Sequence, residues 1–328
     1  MKARAASLDC EPLAADDFAG RRMLCFAGGT AAACWFQPAL SGTSGAVQPF
    51  VDMFALAAIA IAIWHGAYDG VLARPLFERR LGKWWMSAFA AAYLLPVAAV
   101  LTAWHFAPEC ALVTFLAYSS WHFGTEKYLG PVNLTTSVTA FSMGALPIAA
   151  ACHWHPDQVR EIFQWMLGSA AGSLFAQHAI HVCGSLLWPL TLVAAAGACV
   201  WLGERSQTSR LLLLPQIALE LLLFRCCDPV LGFAIYFCLW HTPEHLVSSS
   251  VDRAGRYSTR IMLHNLRAGI IPWIAALAGL ALAVAFTPGT LAGYASAIFI
   301  LLSALTVPHM ALNELRRFPA INHQSRSA

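Results

Sequence analysis

The sequence predicts an all-α fold, a polytopic transmembrane helix bundle of about ten spans with both termini cytoplasmic. Three observations predict it. Of the 328 residues, 59% are hydrophobic and 11% charged, with a mean hydropathy of +0.60, whereas a soluble domain holds roughly 45–50% apolar and about 25% charged residues. The apolar residues fall into runs, several near the ~20 residues that cross a bilayer as a helix. Backbone groups inside a bilayer must be satisfied within their own segment, so runs of this length are helical. An ordinary cytosolic enzyme is excluded.

The elements follow in order. The first residues mix Asp9, Glu11, Asp16 and Asp17 with Lys2 and Arg4. That is a poor signal-peptide start, and residues 1–21 read as a cytoplasmic tail. Spans are expected at 22–40, 51–73, 84–107, 109–129, 135–152, 178–203, 210–226, 228–249, 270–287 and 291–313, forming one domain over 22–313. Residues 314–328 make a second cytoplasmic tail. Between the fifth and sixth spans, residues 154–172 form an amphipathic stretch around Phe163, Trp165 and Met166, expected to lie along the membrane interface. In this layout 18 of the 20 basic residues fall on the cytoplasmic side, with Arg160 and Arg225 outside. Such asymmetry supports an even span count and fixes the orientation, as expected of a multi-pass protein of the cell (inner) membrane.

The net charge of +3 is too small to imply nucleic acid, and no basic patch or phosphate-cradling glycine loop is present. Ten cysteines are scattered without a CxxC pair, with Cys226 and Cys227 the adjacent two. Neither a zinc site nor a thioredoxin-like motif is supported.

The twelve histidines carry more. Three segments share a pattern: Trp64-His65-Gly66-Ala67-Tyr68-Asp69, Trp121-His122-Phe123-Gly124-Thr125-Glu126 and Trp240-His241-Thr242-Pro243-Glu244-His245. Each places a second polar group four residues after the histidine, on the same helix face one turn along. His65, His122 and His241 lie eight residues before Ala73, Gly130 and Ser249, the cytoplasmic ends of their spans. At about 1.5 Å per residue, all three sit about 12 Å inside the membrane. His309 in the last span reaches a similar level. Intramembrane ionisable residues are costly and by default functional. Imidazole suits iron, copper, zinc or nickel, and a ligating histidine usually gives its other N–H to a carboxylate or carbonyl. Asp69 and Glu126 are placed for that supporting role or for neighbouring structural hydrogen bonds. His105, His153, His155, His178, His181, His264 and His323 lie away from this level and are not expected to ligate.

These residues leave several chemistries open. Open positions on iron(II) could bind dioxygen, while zinc could activate water. The letters His241-Thr242-Pro243-Glu244-His245 match a zinc-peptidase pattern with Glu244 as general base, although Pro243 removes a helix N–H. A membrane desaturase would show adjacent histidine pairs, and the HxxxH pair fits a bis-histidine haem badly. A proton-coupled transporter could use the same groups as a relay.

The segments His65-Gly66-Ala67-x-Asp69, His122-Phe123-Gly124, Phe233-Ala234-x-Tyr236-Phe237-Cys238-x-x-His241-x-x-x-His245 and Leu305-Thr306-Val307-Pro308-His309-Met310 resemble the Brp/Blh family of membrane-embedded β-carotene 15,15′-dioxygenases. They come in the family's order over roughly residues 55–315. The resemblance implies that His65, His122, His241 and His245 ligate Fe(II). It implies that dioxygen cleaves the central double bond of a membrane-dissolved carotenoid, giving two all-trans-retinal, with a retinal-binding rhodopsin as an expected acceptor. One departure stands out: the family's second box has a carboxylate five residues after its histidine, where this chain has Lys127, preceded by Glu126. His309 is expected as a supporting or structural residue. Trp64, Tyr68, Trp121, Phe123, Tyr236, Phe237 and Trp240 are the expected wall of an apolar substrate tunnel.

Overall fold

A computed structural model describes residues 15–42, 47–125, 133–168, 172–202, 212–251, 257–287 and 289–324. Among the described residues each of the ten predicted segments falls largely on helix, residues 126–129, 203 and 210–211 lying outside them, and no strand forms beyond one isolated bridge between Val251 and Tyr257. Five helical stretches among them are long and apolar enough to cross a membrane: Gln48–Phe106, Leu134–Trp154, Leu174–Val200, Thr259–Ala285 and Gly293–Arg316.

Helix α1 is Ala15–Gly42. The predicted second span is three helices rather than one: α2 (Gln48–Ala62), a single turn α3 (Trp64–Ala67) and α4 (Asp69–Leu81). Gly66 weakens helix here by about 1 kcal/mol relative to Ala. Tyr68, which separates α3 from α4, is pinned by its hydroxyl to Ser249 Oγ at 2.9 Å. A 3₁₀ turn, Gly82–Trp84, leads into α5 (Trp85–Phe106), followed by α6 (Pro108–Thr125) and α7 (Leu134–Trp154). Asn133 caps α7 by accepting from Thr136 N at 2.9 Å, and Thr136 returns the bond to Asn133 N, satisfying two otherwise orphaned donors.

Helix α8 (Pro156–Leu167) is the predicted amphipathic stretch, but its setting differs from the expectation. Its apolar face of Val159, Ile162, Phe163, Met166 and Leu167 is buried against the bundle rather than laid on lipid headgroups. His155, just before it, donates from Nε2 to the Phe224 carbonyl at 2.7 Å and so ties α8 to a distant helix end. The predicted sixth span breaks at Leu186 into α9 (Gly172–Ser185) and α10 (Leu187–Leu202). Pro189 has no N–H to offer Ser185, which ends the first helix there.

The chain closes with α11 (Leu213–Cys226), α12 (Pro229–Tyr236), a π turn (Phe237–His241), α13 (Thr242–Ser248), α14 (Thr259–Ala285) and α15 (Leu291–Gln324). Asp228 caps α12, accepting from the Val230 and Leu231 amides at 3.1 and 3.0 Å. The π turn has a local cause. Pro243 cannot donate back to Leu239, and Thr242 N bonds Phe237 O, five residues earlier.

Small residues set the tightest helix contact. A Cβ on Gly124 of α6 would fall 1.7 Å from the Ala140 carbonyl oxygen of α7, and one on Gly144 would fall 1.9 Å from Ser120 O. Ser120/Gly124 and Ala140/Gly144 are thus paired small-xxx-small stripes, which let backbones touch in apolar surroundings. That contact fixes the turn of α6 bearing His122.

Candidate metal centre

Five imidazoles from five elements meet in the bundle core: His65 on α3, His122 on α6, His241 on the π turn, His245 on α13 and His309 on α15. All are buried, as is Asp69. Ring centroids of His65 lie 5.0 Å from His241, 5.5 Å from His245 and 5.4 Å from His309. His122 lies 4.9 Å from His241 and 5.2 Å from His309, and His245 lies 4.6 Å from His309. Candidate ligand atoms of His65, His122 and His241 all fall within 4.8 Å of one another, and those of Asp69, His245 and His309 do likewise. Among the described residues these are the two groups of this kind.

The neighbouring groups define which nitrogens face inward. His65 Nδ1 lies 2.8 Å from the Ala62 carbonyl. A carbonyl only accepts, so Nδ1 carries the proton and Nε2 keeps its lone pair. His309 Nδ1 meets both Asp69 oxygens, at 3.0 and 2.8 Å. Tyr93 donates to Asp69 Oδ2 at 3.2 Å, and Asn313 Nδ2 lies 3.1 Å from His309 Nε2. Asp69, His245 and His309 therefore do not read as a second metal site, because the carboxylate is already committed to the Nδ1 proton.

Aromatic rings hold the imidazoles from outside. Phe237 stacks on His241 at 5.2 Å and meets His65 edge-on at 5.2 Å. Phe123 abuts His241 at 4.8 Å, and Tyr68 stacks on His245 at 5.8 Å. Ser249, which holds the Tyr68 hydroxyl, is itself fixed where Asn265 donates to its carbonyl at 3.2 Å.

Two apolar cavities flank the histidines. One, of about 270 Å³, lies against Gly66, Asp69, Phe89, Tyr93 and His309 and reaches the exposed Leu94 and Pro272. The other, of about 110 Å³, lies against His122, Phe123, Phe237 and His241 and is also lined by Ile162, Phe163 and Met166 of α8. His65, Leu302 and Thr306 line both.

Several expectations are corrected. Asp69 supports His309, not His65, because the break at Tyr68 removes the helical register between residues 65 and 69. His241 and His245 have different nearest neighbours, His241 lying with His65 and His122 and His245 with Asp69 and His309. Glu126 and Lys127 lie outside the described residues. Of the seven expected wall residues, Phe123 and Phe237 line a cavity beside the histidines and the other five do not. Trp64 donates to Leu266 O at 3.2 Å and stacks on Trp273, and Trp240 packs on Phe26. Tyr236 meets Phe123 edge-on, Tyr68 serves His245, and Trp121 lines a separate surface groove with Val138 and Phe141.

The sequence reading missed Asn313, Tyr93, Phe163 and Phe299. Asn313 carried a usable signal, four residues after His309 on the same face. Tyr93 and Phe299 carried none, and Phe163 was visible only as part of an amphipathic helix. Glu244 pairs with Arg22 of α1, whose guanidinium also lies 4.0 Å over the Trp240 ring. That pairing engages the carboxylate that a zinc-peptidase base would turn on a metal-bound water.

Fold and site together define a class: a helical membrane protein whose core holds a buried, histidine-rich centre able to bind a metal, walled by apolar side chains. Within that class the chain belongs to the β-carotene 15,15′-dioxygenase family, whose sequence model matches residues 56–315. It is 26% identical to the probable β-carotene 15,15′-dioxygenase Blh of Halobacterium salinarum, over 84% of this chain and 86% of that protein. It is 25% identical to the β-carotene 15,15′-dioxygenase of uncultured marine bacterium 66A03, over 80% of this chain and 92% of that protein. No solved structure matches.

Proposed function

We propose that the chain cleaves β-carotene at its central 15,15′ double bond with dioxygen, giving two all-trans-retinal, at an Fe(II) held by His65, His122, His241 and His245. Family membership makes the protein a carotenoid-cleaving dioxygenase. The observation that carries the metal assignment is the convergence of buried imidazoles from separate helices between two apolar cavities.

The residues fit an iron. Imidazole nitrogen is a suitable donor for it, and the tautomer fixed at His65 leaves a lone pair facing the centre. Bound there, ferrous iron supplies the redox chemistry by which dioxygen reacts with an electron-rich double bond. The protein does the rest. Asp69 holds the proton on His309 Nδ1 and sets that ring's orientation. Phe123 and Phe237 fix the His241 plane. The cavity walls exclude water, which protects a polyene undergoing oxidation and strengthens each polar contact inside.

A substrate dissolved in the bilayer can enter sideways without a soluble carrier. Ten crossings, cytoplasmic termini and an inner-membrane location are our reading of the charge asymmetry, with residues 22–313 as one domain. A retinal-binding rhodopsin is the acceptor we envisage for the product.

Expression in cells that accumulate β-carotene tests this reading. Loss of colour with retinal formation, both absent in His241→Ala, is the expected result. Persistent colour without retinal, in well-folded, iron-loaded protein, would defeat it.

A further inference from the structure

We propose that the two cavities meeting at His65 seat the two halves of one extended polyene, and that Phe163 and Met166 of α8 are the stop that centres it. This rests on the carotenoid-cleaving reading above.

The cavities share His65, Leu302 and Thr306, so they lie back to back across these side chains, and a rod-like apolar molecule that moves Leu302 and Thr306 aside would run from one to the other alongside the histidines. Their ends differ. The larger cavity reaches Leu94 on α5 and Pro272 on α14, both exposed on the bundle surface. The smaller is lined entirely by buried or half-buried residues. The apolar face of α8 forms one of its walls, where Phe163 and Met166 are 6% and 5% exposed. On this proposal the exposed Leu94 and Pro272 mark the mouth, and the second cavity, with no exposed lining residue, is the closed end.

That asymmetry solves a problem set by the substrate. A hydrocarbon with two identical ends offers no polar group by which its middle can be recognised. A blind end of fixed depth fixes the distance from one terminal ring to the metal, and the cut follows from that distance. The open cavity need not read the second ring at all. Apolar and aromatic walls suit such a ligand, and the rigid α8 wall supplies the length standard. The amphipathic helix is thereby given a function its sequence did not disclose.

Phe163→Leu and Met166→Ala keep an apolar face on α8 but deepen the blind end. Both are to be expressed in β-carotene-accumulating cells beside Leu192→Ala, an exposed position remote from both cavities, with membrane abundance measured for each. The products are separated by chain length. A ring seated deeper presents a bond further from that ring, so the expected result is a longer apocarotenoid with its complementary shorter fragment, rising from trace to at least a tenth of total product. Leu192→Ala gives retinal alone. A second readout needs no turnover: metal-free protein is mixed with a series of single-ring apocarotenals of increasing length. The longest species retained by wild type is expected to be exceeded by one retained by the variants. Retinal as sole product with an unchanged length limit, or loss of all products from variants present in the membrane, overturns the stop. No retinal from wild type defeats the dioxygenase reading instead, which the metal-free length series separates from failure of the stop.

Discussion

Asp69 and His309 lie 240 residues apart in sequence, yet the carboxylate holds the imidazole Nδ1 with both oxygens, at 3.0 and 2.8 Å. The pair joins the first helical turn after α3 to the last long helix of the bundle. It sits against His245 and His65, so an orienting interaction reaches the whole histidine cluster. A carboxylate behind a metal-ligating imidazole typically contributes 10- to 100-fold in metal affinity or activity; here Asp69 acts at one remove, through a ring packed against the proposed ligands.

Asp69→Asn is therefore expected to lower retinal formation by up to about 10-fold while the protein still accumulates in membranes. Retinal yield per unit of membrane protein measures it. Unchanged yield would show that the His309 orientation does not matter.

Gly124 gives a prediction about packing. Its missing Cβ is replaced by the Ala140 carbonyl, so Gly124→Ala must push α6 from α7 and move His122. Overpacking of this kind costs about 1–3 kcal/mol or more, read as a lowered melting temperature in detergent with reduced activity. Gly279 has open space where a Cβ would go. There Ala is expected to be neutral or stabilising by up to about 1 kcal/mol.

Arg22 and Glu244 form a third test. Arg22 lies on α1, before the family match begins, and braces the segment bearing His241 through both Glu244 and Trp240. Removing one partner strands a partly buried charge, so Arg22→Met and Glu244→Gln should each destabilise. The double variant should lose less than the sum, a coupling of about 0.5–3 kcal/mol. Glu244→Gln should still make retinal, whereas a peptidase base at that position would predict complete loss of activity.

His153 and His155 provide the contrast within the same residue type. Their ring nitrogens bond the carbonyls of Gly184 and Phe224, at 3.1 and 2.7 Å, and neither touches the cluster. His155→Gln is expected to lower stability by about 1 kcal/mol, as for one hydrogen bond, and to leave iron content unchanged by metal analysis.

The helices and the histidines were legible because each rests on a local property: apolar run length for the first, and depth counted from a helix end for the second. The supporting contacts were not. Trp64, Trp121 and Trp240 each directly precede a histidine, but adjacent residues on a helix point about 100° apart. Their rings consequently face neighbouring helices while the imidazoles face the core. The residues that do line the cavities, such as Phe163 and Phe299, come from helices remote in sequence. The i+4 rule failed for His65 and Asp69 because α3 ends at Tyr68, and it would have worked for His309 and Asn313 on an unbroken helix. The particular activity was legible only through the family resemblance, since imidazoles in a dry core suit more than one metal.

The most direct test of the central claim is the metal content of the purified protein, wild type beside His65→Ala, His122→Ala, His241→Ala and His245→Ala, with His153→Ala as control. The account predicts iron bound by wild type and by His153→Ala, and lost from each of the other four. Zinc in place of iron, or iron retained after His241→Ala, would contradict it.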